Sequence, residues 1–124
     1  MILHIDDDAQ VREVIFRLLS TYGYQIVQTE DGLSGLEMIR QLKPALVLLD
    51  IDLPDLSGLE VVKRVKADPD LQQIRVIAFS GSTTQNKRDD LLAAGFDDFL
   101  PKPTSMVDLL KMIEGNYPAG SPQS

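Results

Sequence analysis

Short apolar runs alternate five times with stretches whose apolar residues recur at helical spacing. The runs are Ile2–Ile5, about Gln25–Thr29, Ala45–Leu49, Arg75–Phe79 and about Asp98–Pro101. The first helical stretch runs from about Ala9 to Tyr22 and puts Val11, Val14, Ile15, Leu18 and Leu19 on one face. Gly23 suits the position just past its end. The second spans about Leu33–Gln41, and Pro44 follows it. The third opens at Ser57, with Glu60 three residues on as a capping box, and carries Leu59, Val61, Val62 and Val65 to about Ala67. The fourth, about Gln85–Ala94, is stopped by Gly95. The fifth follows Thr104-Ser105, where Asp108 completes another capping-box pattern, and fades by Gly115. This alternation predicts an α/β domain on a parallel sheet. The unbroken run Ala45–Leu49 suits a central strand buried on both faces. Residues 116–124, rich in Pro, Gly and Ser, read as a flexible tail or linker stub, which leaves 1–115 as the folded domain.

Composition narrows the function. The chain has 124 residues, 44% hydrophobic and 25% charged, with a formal net charge of −7. That length fits one domain with its own core. The acidic balance argues against direct nucleic-acid binding, which calls for a basic face. It leaves a basic protein surface open as a partner. With no cysteine, a disulfide framework, thiol catalysis and a zinc–thiolate site are excluded. No apolar stretch approaches the ~20 residues of a membrane span, and Met1 leads directly into a strand. The chain reads as a cytosolic protein or cytosolic domain.

The candidate chemistry sits where the runs end. In an open parallel sheet the strand C-termini share one edge, and ligands bind there. Asp6-Asp7, Asp50, Ser80 and Lys102 all fall at such ends. Adjacent carboxylates repel unless a cation lies between them, and hard oxygen ligands with open positions suit Mg²⁺. Asp6 and Asp7 also fit a solvated acidic loop, with Asp8 capping the next helix. Asp50 closes the most apolar strand, and a carboxylate there can attack phosphorus to form an aspartyl phosphate. Asp50 equally fits a turn residue in a loop with Pro54 and Gly58. Ser80 could donate to a phosphoryl oxygen, or simply open a Ser/Thr-rich loop. Lys102, between Pro101 and Pro103, is a mobile point charge for phosphate on a restricted backbone. His4 has no second histidine to pair with and reads as a packed strand residue rather than a ligand. The methionines read as core filler.

Taken together, the pattern resembles the receiver (response-regulator) domain of two-component signalling over about Ile2–Glu114. An acidic pair follows the first strand and an Asp follows the third, with Pro and Gly downstream. A Ser follows the fourth strand and Lys-Pro the fifth, with Phe99 at the aromatic position of the fifth strand and Arg12 and Gly95 also in pattern. The resemblance implies a doubly wound, CheY-like five-stranded parallel sheet in the order 2-1-3-4-5, flanked by five helices. It implies Asp50 as phosphoacceptor. Asp6, Asp7, Asp50 and the backbone carbonyl of Asp52 would hold Mg²⁺ or Mn²⁺. Lys102 and Ser80 would contact phosphoryl oxygens, and Ser80 and Phe99 would form the switch. Asp52 and Ser82 would modulate hydrolysis. Arg88, Asp98, Asp108 and Lys111 would mark an output face on the fourth helix, fifth strand and fifth helix. A cis peptide is implied between Lys102 and Pro103.

The implied function is a phosphorylatable signalling module with slow self-dephosphorylation, not a multiple-turnover enzyme. Its phosphoryl donor would be a histidine kinase or histidine phosphotransfer protein and its target another protein. Met112 stands where dimerising relatives often carry arginine, so a monomer or weak dimer is expected. Stand-alone regulator and domain of a larger protein are both open. The chain departs from the family pattern at Gly81, Pro101, Thr104 and the carboxylate of Asp52. Among rivals, a haloacid-dehalogenase phosphohydrolase would use Asp50-Ile51-Asp52, but its usual Thr falls at Pro54 and no cap is present. A receiver working only by constitutive contacts fits poorly with a full set of acidic, hydroxyl and lysine positions. A flavodoxin-like flavin site would set an acidic loop against the FMN phosphate.

Overall fold

The computed structural model describes residues 1–81 and 85–117, and for 85–87 the backbone alone. Strands and helices alternate throughout: β1 (Ile2–Ile5), α1 (Ala9–Thr21), β2 (Ile26–Thr29), α2 (Gly32–Leu42), β3 (Leu46–Asp50), α3 (Gly58–Ala67), β4 (Arg75–Ser80), α4 (Gln85–Ala94), β5 (Asp98–Pro101) and α5 (Met106–Asn116). The strands form one parallel sheet in the order β2-β1-β3-β4-β5. β3 is central and buried along its whole length. β5 is an edge strand, where Pro101 costs no ladder bond.

Successive strand residues face opposite sides, and each side has its own core. Leu3, Ile5, Val47, Leu49, Val76 and Ala78 pack against Leu36 and Ile39 of α2, Val61, Val62 and Val65 of α3, and Leu91 of α4. Ile2, Leu46, Leu48, Ile77, Phe79 and Leu100 pack against Ile15, Leu18 and Leu19 of α1 and Leu109 and Ile113 of α5. Burial of this apolar surface on both faces, at roughly 25 cal/mol per Å², is the main force holding the sheet.

Three local expectations differ. Val14, assigned to the inward face of α1, is 60% exposed, because the helix rests on Ile15, Leu18 and Leu19. The capping box at Ser57 does not close. The Ser57 hydroxyl accepts from Leu59 N–H at 3.2 Å, while Glu60 turns to Arg64. At Ser105, by contrast, the hydroxyl accepts from Asp108 N–H at 3.0 Å. Finally, α5 passes Gly115. Asn116 is buried and donates to the Met112 carbonyl at 2.9 Å, and the Tyr117 ring stacks obliquely on Tyr24 at 5.3 Å.

Gly58 sets how closely α3 approaches the carboxyl end of β3. A Cβ there would lie 2.6 Å from the Asp50 carbonyl oxygen and 2.8 Å from Ile51 Cα. These are backbone atoms, and the Gly58 N–H is itself bonded to the Ile51 carbonyl at 3.0 Å. Gly58→Ala is therefore expected to destabilise the fold by about 1–3 kcal/mol through overpacking. Urea unfolding measures this, and an unchanged midpoint would contradict the close approach.

Candidate functional site

Four polar groups from three inner strands and the edge strand β5 converge at the carboxyl edge of the sheet. Asp6 follows β1, Asp50 and Ser80 end β3 and β4, and Lys102 follows β5. The β4–β5 ladder continues one residue past β5, since Lys102 N–H donates to the Ser80 carbonyl at 2.8 Å. That bond fixes the lysine backbone beside the edge. The Lys102–Pro103 peptide is cis. Lys102 Nζ lies 2.8 Å from Asp6 Oδ2 and 3.4 Å from Asp50 Oδ2. It also stands 4.8 Å from the centroid of the Phe79 ring, within reach of a cation–π contact.

Asp6 is fully buried and Asp50 is 5% exposed, whereas Asp7 is exposed. One carboxylate oxygen from each of the three lies within 4.8 Å of the others. The two buried groups titrate in opposite directions. Burial pushes Asp6 up, but the His4 imidazole, the Lys102 ammonium and the Asp8 N–H more than offset it, and its pKa falls to about 2. His4 stands 3.6 Å away, beyond a full hydrogen bond, so the Lys102 contact and the 3.0 Å bond from Asp8 N–H carry most of that effect. For Asp50 burial wins. The 3.1 Å bond from Asp52 N–H and the more distant Lys102 lower it less, and its pKa rises to about 6. Burial lowers Lys102, yet both carboxylates outweigh this and its pKa is raised. His4 is held below its ordinary value, chiefly by burial, and is neutral.

The supporting contacts are less visible in the sequence. Arg12 Nη1 donates to the Asp6 carbonyl at 2.7 Å and braces the turn after β1. Asp55, in the loop after Asp50, accepts from Gly32 N–H at 2.8 Å and Leu33 N–H at 3.0 Å, so it caps α2 from across the edge. Phe79 supplies the face under Lys102. Asp55 and Phe79 carried no motif of their own. Only the order of strands, which brings distant loops together, would have exposed them.

The other expected positions spread outward. The Asp52 side chain is exposed beside the cluster. Ser80 is fully buried at the edge, and Phe99 is buried in the core under α3 and α4. Arg88, Asp98, Asp108, Lys111 and Met112 all line one cleft of about 570 Å³ on the α4–β5–α5 side. Ser82 lies outside the described residues.

A doubly wound five-stranded sheet with buried acids and one lysine at its carboxyl edge defines a phosphate-switch class of domain rather than a flavin binder. The chain belongs to the response regulator receiver domain family, whose model matches residues 2–114. It is 37% identical over 112 residues to the response regulator MprA of Mycobacterium leprae, covering 90% of this chain and 48% of that protein. It is 33% identical over 111 residues to the polar-differentiation response regulator DivK of Brucella anthropi, covering 89% and 90%. The chain thus spans about half the length of the MprA relatives and most of DivK. Among solved structures it resembles the receiver domain of sensor histidine kinase PA1611 from Pseudomonas aeruginosa, with a TM-score of 0.86, 25% identity and coverage of 94% and 95%. That structure has a magnesium ion in its active-site cleft. The chain is a signalling receiver domain.

The opposed carboxylates predict a pH signature. Asp50, raised from 3.8 to about 6, favours the fold when protonated, so its contribution is lost as pH rises through about 6. Asp6, depressed to about 2, contributes above 3.8 and loses this as pH falls through about 2. In metal-free buffer Asp50→Asn should therefore raise the melting temperature at pH 8, by up to roughly 3 kcal/mol of stability, and converge with the unmodified protein near pH 4. An equal gain at both values would contradict the raised carboxyl.

Proposed function

We propose that the chain is a phosphoacceptor switch in which Asp50 takes a phosphoryl group from a phosphohistidine on a histidine kinase or histidine phosphotransfer protein. One observation carries this reading: two buried carboxylates compete for one lysine, and Asp50 is the loser. Its carboxylate is desolvated and its basicity is raised, both of which favour attack on phosphorus. In the transfer an Asp50 oxygen bonds to phosphorus, the phosphorus–nitrogen bond of the donor breaks, and its electron pair stays on the departing imidazole. The product is an acyl phosphate.

The remaining roles follow from position. Lys102 already stands 3.4 Å from Asp50 Oδ2 and would neutralise a phosphoryl oxygen, with Ser80 donating to another. Asp6, Asp7, Asp50 and the Asp52 carbonyl would hold Mg²⁺ or Mn²⁺, since the clustered carboxylate oxygens are hard donors of the kind such ions take. When bound, the ion supplies positive charge against the carboxylates and the incoming phosphoryl oxygens. The magnesium in the Pseudomonas aeruginosa receiver supports the same use here. Ser80 and Phe99 would relay the change, with the buried Phe99 ring moving as Ser80 follows the phosphoryl group. The cleft lined by Arg88, Asp98, Asp108 and Lys111 would be the output face for a protein target, with the chain a monomer or weak dimer through it. Asp52 and Ser82 would tune the return hydrolysis. The receiver would run through Tyr117, past the boundary expected at 115, with the residues after it a tail or linker. A cytoplasmic site of action suits the kinase partner. No helix among the described residues is long and apolar enough to cross a membrane.

Acetyl phosphate with Mg²⁺ is expected to add one phosphoryl mass, located on Asp50 by peptide fragmentation, and EDTA is expected to prevent it. Labelling that persists in Asp50→Asn would refute the assignment.

A further inference from the structure

His4 lies wholly buried in β1, two residues before Asp6, and its imidazole stands between Gln28 of β2 and the Asp6 carboxylate. The hydrogen-bond geometry fixes its tautomer. The Gln28 side-chain nitrogen is 2.7 Å from the Arg12 carbonyl oxygen, which can only accept, so that atom is the amide NH₂. The same nitrogen lies 3.0 Å from His4 Nδ1. Nδ1 is thus the acceptor, and a neutral ring carries its hydrogen on Nε2. Nε2 is fully enclosed and has no hydrogen-bond partner among the described residues. It faces Asp6 Oδ2 at 3.6 Å.

A buried N–H left without an acceptor is costly, and one aimed at a carboxylate is a donor held just out of range. What occupies that oxygen is Lys102, at 2.8 Å. Lys102 is also the group nearest to being drawn away, since Asp50 Oδ2 is 3.4 Å from the same ammonium. A phosphoryl group on Asp50 adds anionic oxygens beside Lys102, and a flexible point charge moves toward the larger negative charge. Asp6 Oδ2 would then lose its 2.8 Å partner while Oδ1 keeps the Asp8 N–H, and a buried carboxylate oxygen left without a donor is costly.

We propose that His4 is a positioning residue, whose Nε2–H takes over Asp6 Oδ2 when Lys102 turns to the phosphoryl group on Asp50. Closing the gap needs a movement of about 0.6 Å, to an ordinary N–H···O separation near 3.0 Å. Gln28 anchors the far side of the ring throughout, so the movement is shared by Asp6 and a small tilt of the imidazole. The handover keeps the Asp6 carboxylate oriented while its lysine is engaged elsewhere. The inference rests on Asp50 being the phosphoacceptor.

Two measurements on the full chain test it. The first is long-range proton–nitrogen NMR of the His4 imidazole before and after treatment with acetyl phosphate and Mg²⁺, with the phosphoryl mass read on the same sample. A neutral Nε2–H tautomer is expected in the unmodified protein, with the Nε2 proton moving downfield on phosphorylation. A hydrogen on Nδ1, or an unmoved Nε2 proton in a sample that carries the phosphoryl mass on Asp50, would overturn the inference alone. Absence of that mass would overturn the phosphoacceptor assignment and this inference with it. The second is the labelling rate of three variants. His4→Asn keeps an acceptor for Gln28 but no donor toward Asp6, and His4→Phe keeps neither. Both should slow labelling by about five- to tenfold, the scale of the net contribution of one ordinary hydrogen bond. His4→Gln places an NH₂ near the Nε2 position and should recover most of the rate. Equal slowing in all three would show packing alone and would overturn the role.

Discussion

A single ammonium group, Lys102 Nζ, lies 2.8 Å from one buried carboxylate and 3.4 Å from another, over the face of Phe79. In a site of low dielectric neither acid is comfortable alone, and one lysine cannot fully satisfy both. Asp6 holds the closer contact and a backbone N–H, and is stabilised as an anion. Asp50 has the longer contact and less compensation, and its pKa is raised to about 6. The inequality divides the labour. Asp6 becomes the fixed counter-charge of the site, and Asp50 the basic carboxylate with unmet demand for positive charge. A cation or the lysine can meet that demand, so the same constraint suits both metal binding and phosphoryl transfer.

The fold serves to keep that arrangement from relaxing. The β4–β5 ladder reaches Lys102 through the Ser80 carbonyl, so the lysine cannot drift along the edge. Arg12 holds the Asp6 carbonyl, and Asp55 ties the loop after Asp50 to the N-terminus of α2. Gly58 lets α3 start directly against the Asp50 and Ile51 backbone. The ties of Lys102 to Ser80 and of Asp55 to Gly32 and Leu33 each join segments more than twenty residues apart in the chain. The edge is stiff where the acids sit, while Lys102, on a long side chain, is the group free to change partner.

Much of this was legible in the chain. Strand ends could be read because an unbroken apolar run stopped at a polar residue, as at Leu46–Asp50. The motif residues then fell at one edge for topological reasons alone. Helix starts at Asp8 and Ser105 followed from local capping, which depends only on neighbours. Val14 was misplaced because spacing on a helix gives a stripe but not its centre. The limits of that stripe are set by which strand residues lie beneath it. Ser57 looked like a capping box because the spacing to Glu60 is right, yet Arg64 offered the glutamate a charged partner one turn on. Asp55 could not be found, since it caps a helix more than twenty residues earlier in the chain, Gly32 and Leu33 being its partners. His4 was rightly read as packed within its strand. Its orientation toward Asp6 depends on Gln28 of the neighbouring strand, and register of that kind is not written in either segment alone.

The division between the two acids can be measured at the carboxyl carbons. A ¹³C NMR titration of the metal-free protein follows Asp6 and Asp50 individually, with Asp50→Asn and Asp6→Asn supplying the assignments. The expected result is an Asp50 carboxyl titrating at about 6, with Asp6 still ionised as pH falls well below 3.8. Two carboxyls that both titrate near the ordinary value of about 3.9, or the reverse order, would contradict the unequal hold of Lys102 on the two acids.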